Sequence, residues 1–173
     1  MMQKKVQIIS DGSLDLSQEL TKEKDIEVVP FYVSFDSETY QKEMVEVGVR
    51  EFYQEMVDHP TVFPKTSMPS VHDYYEVFEK HAKEKMPVIC ICITRKFSGS
   101  LQSATTAKDM ILEEYPDAQI TVIDSTVNTV LQGLYVLEAC RLRDMGLEYQ
   151  QIDRKSTRLN SSHEWISRMP SSA

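Results

Sequence analysis

The run Val88-Ile89-Cys90-Ile91-Cys92-Ile93-Thr94 constrains the fold more than any other stretch of the chain. As a strand it is apolar on both faces, so both faces must be covered. That is the situation of a central strand in a parallel sheet, not of a half-solvated hairpin. Helical patterns lie on either side of it. Before it, Ser70 opens a segment whose apolar positions are Val71, Tyr74 or Tyr75, Phe78 and Ala82, with Asp73 placed to complete a capping box and Pro87 as the break. After it, a helix is predicted from Ser100 to Tyr115. Other strand-like runs are Val6–Ile9, Ile26–Phe35 and Gln119–Asp124, with Asp36–Thr39 as a turn from which Tyr40–Gln41 returns. Further helices are predicted at Asp15–Leu20 (capped by Asp15 or Ser17), at Val49–Val57, and at Thr129–Met145 with Gly146 as its stop, and one more begins near Leu147–Ile152. Strands and helices alternate, which predicts an α/β domain with a mainly parallel sheet and helices on both faces.

The 173 residues suffice for one such domain. Residues 154–173 are read separately from residues 1–153. They hold six serines and the only Trp, show no strand or helix periodicity, and interrupt a helix that has barely begun. We read them as a disordered tail that looks non-native, similar to translated cloning or adapter sequence. Arg154, Lys155, Arg158 and Arg168 against Glu164 give that tail +3, so the −8 of the whole chain is −11 over residues 1–153. A domain that acidic repels phosphate backbones, which argues against nucleic-acid binding.

Cys90, Cys92 and Cys140 are an odd number, and two of them lie in the apolar strand, which points to a reduced, cytoplasmic protein and to core packing. No metal and no cofactor are expected: Cys90 and Cys92 have no second pair, and His59, His72, His81 and His163 show no ligand spacing. No run approaches the roughly 18 apolar residues of a membrane span, so no integral membrane segment is expected.

Ser98-Gly99-Ser100 follows the central strand and opens a helix. Ligands of open parallel sheets collect beyond the carboxyl ends of the strands, and a helix N-terminus offers free N–H groups to an anion. Gly99 allows close approach to the backbone, and the Ser98 and Thr66 hydroxyls can donate to a charged acceptor. The same Ser-Gly-Ser also suits a plain cap and tight turn, and Thr66-Ser67 also suits a plain loop. Asp11, Asp15 and Asp124 follow strands and read as turn or cap residues, not as an acid/base set. Met110, Met145 and the tyrosines at helical spacing read as core or tunnel lining.

Four segments in register resemble the DegV family. They are Ile8-Ile9-Ser10-Asp11-Gly12-Ser13-Leu14-Asp15-Leu16, with Gly12 where Ser or Thr is more usual; Lys65-Thr66-Ser67-Met68-Pro69-Ser70, with Met for Gln; Phe97-Ser98-Gly99-Ser100-Leu101-Gln102-Ser103-Ala104; and Ile123-Asp124-Ser125 followed by Gln132-Gly133. The resemblance implies a two-domain α/β protein that holds a long-chain fatty acid between its domains and presents the carboxylate to a fatty-acid kinase. It implies a carrier subunit, not an enzyme. Carboxylate contacts carry over to Thr66 and Ser98, with Gly99 and Ser100 beside them and Ser67, Asp11 and Ser125 as supporting positions. The second domain's Arg and His motifs are absent from this sequence, so the chain is read as an incomplete fragment with weak or no binding and an exposed apolar face. Two rival readings are a serine-dependent acyl hydrolase or transferase and a phosphosugar- or nucleotide-binding α/β domain. The first lacks a Gly-x-Ser-x-Gly elbow and the second its Gly-rich phosphate loops.

Overall fold

A computed structural model describes residues 6–162 of the chain, with side-chain surroundings through residue 157. Its main sheet has four parallel strands in the order β2-β1-β6-β7, formed by β1 (Gln7–Asp11), β2 (Ile26–Val29), β6 (Val88–Cys92) and β7 (Ile120–Asp124). β6 is central and wholly buried, as its two-faced apolar sequence requires. Ile89 and Ile91 face one layer with Tyr135, Val136 and Ile152, and Cys90 and Cys92 face the other with Tyr74, Phe78 and Ala107. The two cysteine sulfurs lie 3.7 Å apart as core packing.

The described residues form six α-helices: α1 (Gln18–Glu23), α2 (Val49–Asp58), α3 (Val71–Lys83), α4 (Ser100–Glu114), α5 (Thr129–Asp144) and α6 (Tyr149–Ser162). Ser17 caps α1 by accepting the Leu20 N–H. Gly146, at φ +83°, ends α5 in the left-handed conformation that glycine adopts without strain. α3 and α4 cover one face of the sheet, and α5 and α6 the other.

Four sequence readings are corrected. Ile26–Phe35 is not one strand: Pro30 has no N–H to donate, and the chain leaves the main sheet after Val29. It re-enters as β3 (Tyr32–Ser34), the middle strand of a small antiparallel sheet with β4 (Gln41–Lys42) and β5 (Lys65–Ser67). Thr66 therefore sits on a strand and not in a free loop. Residues 154–162 are helical, continuing α6, and do not form a disordered tail; Ser156 is buried and its carbonyl accepts the Tyr135 hydroxyl. Residues 163–173 of that reading lie outside the described residues. Met110 and Met145 are 46% and 63% exposed and line no core.

The capping box is present as predicted and does more than begin α3. Asp73 accepts the Ser70 N–H and hydroxyl, while its other oxygen takes the Tyr32 hydroxyl at 2.8 Å and the Lys42 ammonium at 3.0 Å. One carboxylate thus ties the small sheet to α3. Burial pushes its pKa up, but the hydrogen bonds from Ser70, Tyr32 and Lys42 outweigh burial and hold it down at about 2. A carboxyl lowered in the folded state stabilises fully above its unfolded value and loses that contribution as pH falls through the folded one. We therefore expect about 1–2 kcal/mol of stability, after solvent screening, to disappear between roughly pH 4 and pH 2. Urea titrations across that window should show the loss, and Asp73→Asn should flatten it.

Candidate functional site

The carboxyl ends of the strands meet at a buried polar cluster centred on Asp11. One Asp11 oxygen accepts the Ile93 N–H at 2.9 Å and the Ser100 hydroxyl at 2.7 Å. The other accepts the Ser13 hydroxyl at 2.9 Å and the Gln132 amide at 2.8 Å. Ser100 also meets the Tyr74 hydroxyl at 2.6 Å, and Gln132 reaches Ser10 at 3.0 Å. Asp11, Ser100, Tyr74 and Gln132 are all fully buried, so every member must find its partner inside the protein. Sequence reasoning missed Tyr74 and treated Gln132 only as part of a motif. A glutamine among apolar neighbours and a tyrosine on an apolar stripe give no sign that they meet Asp11 until the fold brings them together.

Ser100 was expected at the ligand, and the structure puts its hydroxyl inside this cluster, behind the first turn of α4. Ser98 stands in front. It is half-buried, its oxygen accepts the Ser100 N–H at 3.2 Å, and among the described residues no acceptor takes its own proton. Gly99, the N-cap of α4, is exposed. Met68 packs against it: a Cβ on Gly99 would stand 2.6 Å from the Met68 sulfur. That contact brings the end of β5 and the residue after it to the Ser98-Gly99 turn. Thr66 pairs with Val33 and is exposed, with no hydrogen bond to its hydroxyl among the described residues. Ser67 is one residue on, so it points to the opposite face of the small sheet. Ser125 is not part of the group: it is buried in the turn after β7, where its hydroxyl donates to the Val127 carbonyl.

Beside Thr66 lies a cleft of about 690 Å³ between the turn after β1, α1, the small sheet and α2. Leu14, Val28, Val33, Val47 and Phe52 give it apolar walls. That volume and lining suit a small amphipathic ligand. One side of α2 stays uncovered, with Val57 71% exposed and, just beyond the helix, Phe63 81% exposed.

Ser98 and Ser100 have no imidazole partner among the described residues; His59, His72 and His81 pair with Glu55, Glu76 and Glu27 instead. Asp11 and Asp124 end β1 and β7 and accept N–H groups of the turns that follow, Asp15 ends the turn after β1, and no group of three or more His, Cys, Asp or Glu among the described residues is arranged to hold a metal. No helix among them is long and apolar enough to cross a membrane.

Fold and site together define an α/β domain with a hydroxyl-lined turn and an apolar cleft at the carboxyl edge of a parallel sheet. The chain belongs to the DegV family, whose model matches residues 5–166. It is 34% identical over 148 residues to a DegV domain-containing protein of Clostridium acetobutylicum, covering 86% of this chain and 51% of that protein. Among solved structures it is similar to a stearic-acid-binding protein from Eubacterium ventriosum, at 46% identity and TM-score 0.83, covering 87% of this chain and 52% of that one. It is also similar to a fatty-acid-binding DegV family protein from Thermus thermophilus, at 28% identity and TM-score 0.75, covering 91% and 54%. The chain spans about half the length of the relatives it matches.

Proposed function

We propose that this chain forms part of a fatty-acid carrier that binds a long-chain fatty acid and presents its carboxylate to a fatty-acid kinase, without itself performing catalysis. The observation that carries the reading is the juxtaposition of two hydroxyl-bearing segments, Thr66 and Ser98-Gly99, with an apolar cleft that Thr66 lines. In this reading Thr66 and Ser98 donate hydroxyl hydrogen bonds to the carboxylate, and Gly99 with the first N–H groups of α4 supplies further donors. Ser100 and Asp11 hold that turn from behind, while Ser67 supports the strand that carries Thr66 and Ser125 shapes the turn after β7. The resemblance to the Eubacterium ventriosum stearic-acid-binding protein supports the ligand class. A carboxylate held at an exposed turn remains reachable by a second protein, which is what presentation to a kinase requires. Three free, buried cysteines fit a reducing, cytoplasmic setting.

The cleft is open along one side, so an acyl chain lying in it gains less than the roughly 0.8 kcal/mol per CH₂ of full burial. Binding by the chain itself is expected to be micromolar or weaker. A two-dimensional NMR titration with decanoate, a soluble homologue of the ligand, tests the reading. Saturable shifts at Thr66, Ser98 and Gly99 are expected. Saturation without shifts at those residues, or no saturable shift at all, would overturn the assignment.

A further inference from the structure

Among the ionisable groups in the cleft wall, Glu43 is a partly buried carboxyl. Glu43 lies on the β4 side of the small sheet, and its oxygen Oε1 accepts the Phe31 N–H at 3.1 Å. Among the described residues that is the only hydrogen bond its carboxyl makes. Its place depends on Gly12: a Cβ there would stand 1.8 Å from Glu43 Oε1 and 3.4 Å from the Phe31 nitrogen. Gly12 is the residue at which the first motif departs from the pattern it resembles, so the departure and the carboxyl belong to one local device. Burial raises the Glu43 pKa, and the charge of Asp11 adds to that, so the group is held where its ionised form is poorly solvated.

The register of the small sheet relates Glu43 to the proposed head-group position. Val33 pairs with both Gln41 and Thr66, and Glu43 bonds the backbone of Phe31, two residues from Val33. With a side-chain period of two, Phe31, Val33, Gln41, Glu43 and Thr66 share one face. Thr66 and Glu43 therefore flank Val33 on the cleft side, roughly 12 Å apart by strand spacing and rise. A ligand whose carboxylate is at Thr66 and whose tail follows that face passes Glu43 well down its chain.

We propose that Glu43 is a specificity-determining residue that selects acyl chains bearing a hydroxyl group at this depth, so that the preferred ligand is a hydroxy fatty acid. A plain methylene chain over Glu43 strips water from a carboxyl without replacing it, whereas a hydroxyl donates the missing hydrogen bond. The inference rests on the fatty-acid reading above, and decanoate against ω-hydroxydecanoate separates the two, because their extended length is about the separation of Thr66 and Glu43.

The NMR titration of the full chain is repeated with both acids for wild type, Glu43→Gln and Glu43→Leu. Wild type should bind ω-hydroxydecanoate about tenfold more tightly than decanoate, the effect of one hydrogen bond to a charged group. Glu43→Gln retains an acceptor for Phe31 and for the ligand but not the charge, and should keep a reduced preference of about threefold. Glu43→Leu should abolish it while tightening decanoate. Equal binding of the two acids by wild type, or a preference that survives in Glu43→Leu, overturns the inference and leaves the fatty-acid reading standing. Binding of neither acid overturns both.

Discussion

Replacing Asp11 by alanine is expected to lower the unfolding free energy by about 3–5 kcal/mol, a large part of the stability of a domain this size. The carboxylate is fully buried and receives Ile93 N–H, two hydroxyls and an amide. Alanine would leave those donors inside the protein without an acceptor, and each one stranded costs on the order of 1–3 kcal/mol before relaxation. The effect spreads because the donors come from four places in the chain: the residue after β6, the N-terminus of α4, the turn after β1 and the first turn of α5. Urea denaturation at neutral pH should show a lower midpoint at an unchanged slope. Asp11→Asn keeps one carbonyl oxygen and should lose clearly less. A loss below about 1 kcal/mol in the alanine variant would mean that water fills the site and serves the same donors.

The second large effect concerns binding. Thr66→Val combined with Ser98→Ala should weaken decanoate at least tenfold, since each removes a hydroxyl donor to a charged acceptor. Thr66 is exposed and Ser98 half-buried, so the melting temperature should move by only a few degrees. Decanol gives the internal control, because it shares the tail and lacks the charge. A structural defect would weaken both ligands alike, whereas loss of carboxylate donors weakens the acid far more. If the double variant binds decanoate as wild type does, the head group lies elsewhere.

Much of the main sheet was legible because burial on two faces leaves a mark in sequence. Val88–Ile93 could be only a covered strand, and the capping box at Ser70 and Asp73 announced α3. The small sheet was harder to read. Lys65-Thr66-Ser67 is short and polar, and only its pairing with Tyr32–Ser34, some thirty residues earlier in the chain, makes it a strand. The start of α6 near Leu147–Ile152 was legible, but its continuation past residue 153 was not, because its inward side is marked by Ile152 and then by a serine, Ser156, which carries no apolar signal. Of the candidate site residues, Ser98, Gly99 and Thr66 are open to the surface, at least in part. Ser100 is not, because position at the start of a helix does not say whether a hydroxyl turns outward to a ligand or inward to a carboxylate. Glu43 and Gly12 could not be paired from sequence, since their relation is a steric one across a sheet edge.

The strand order carries a consequence for how the chain acquires its structure. β1 is synthesised well before β6, yet β6 is one of its two neighbours, with Ile8 paired to Ile89. Until that later strand is synthesised, β1 presents an unpaired apolar edge to its surroundings. The residues in between supply the small sheet and α2, which can close on local contacts while the main sheet waits. Completion of the domain is thus a non-local event, of the kind that takes milliseconds to seconds rather than microseconds. Chaperone dependence during synthesis should concentrate in that interval.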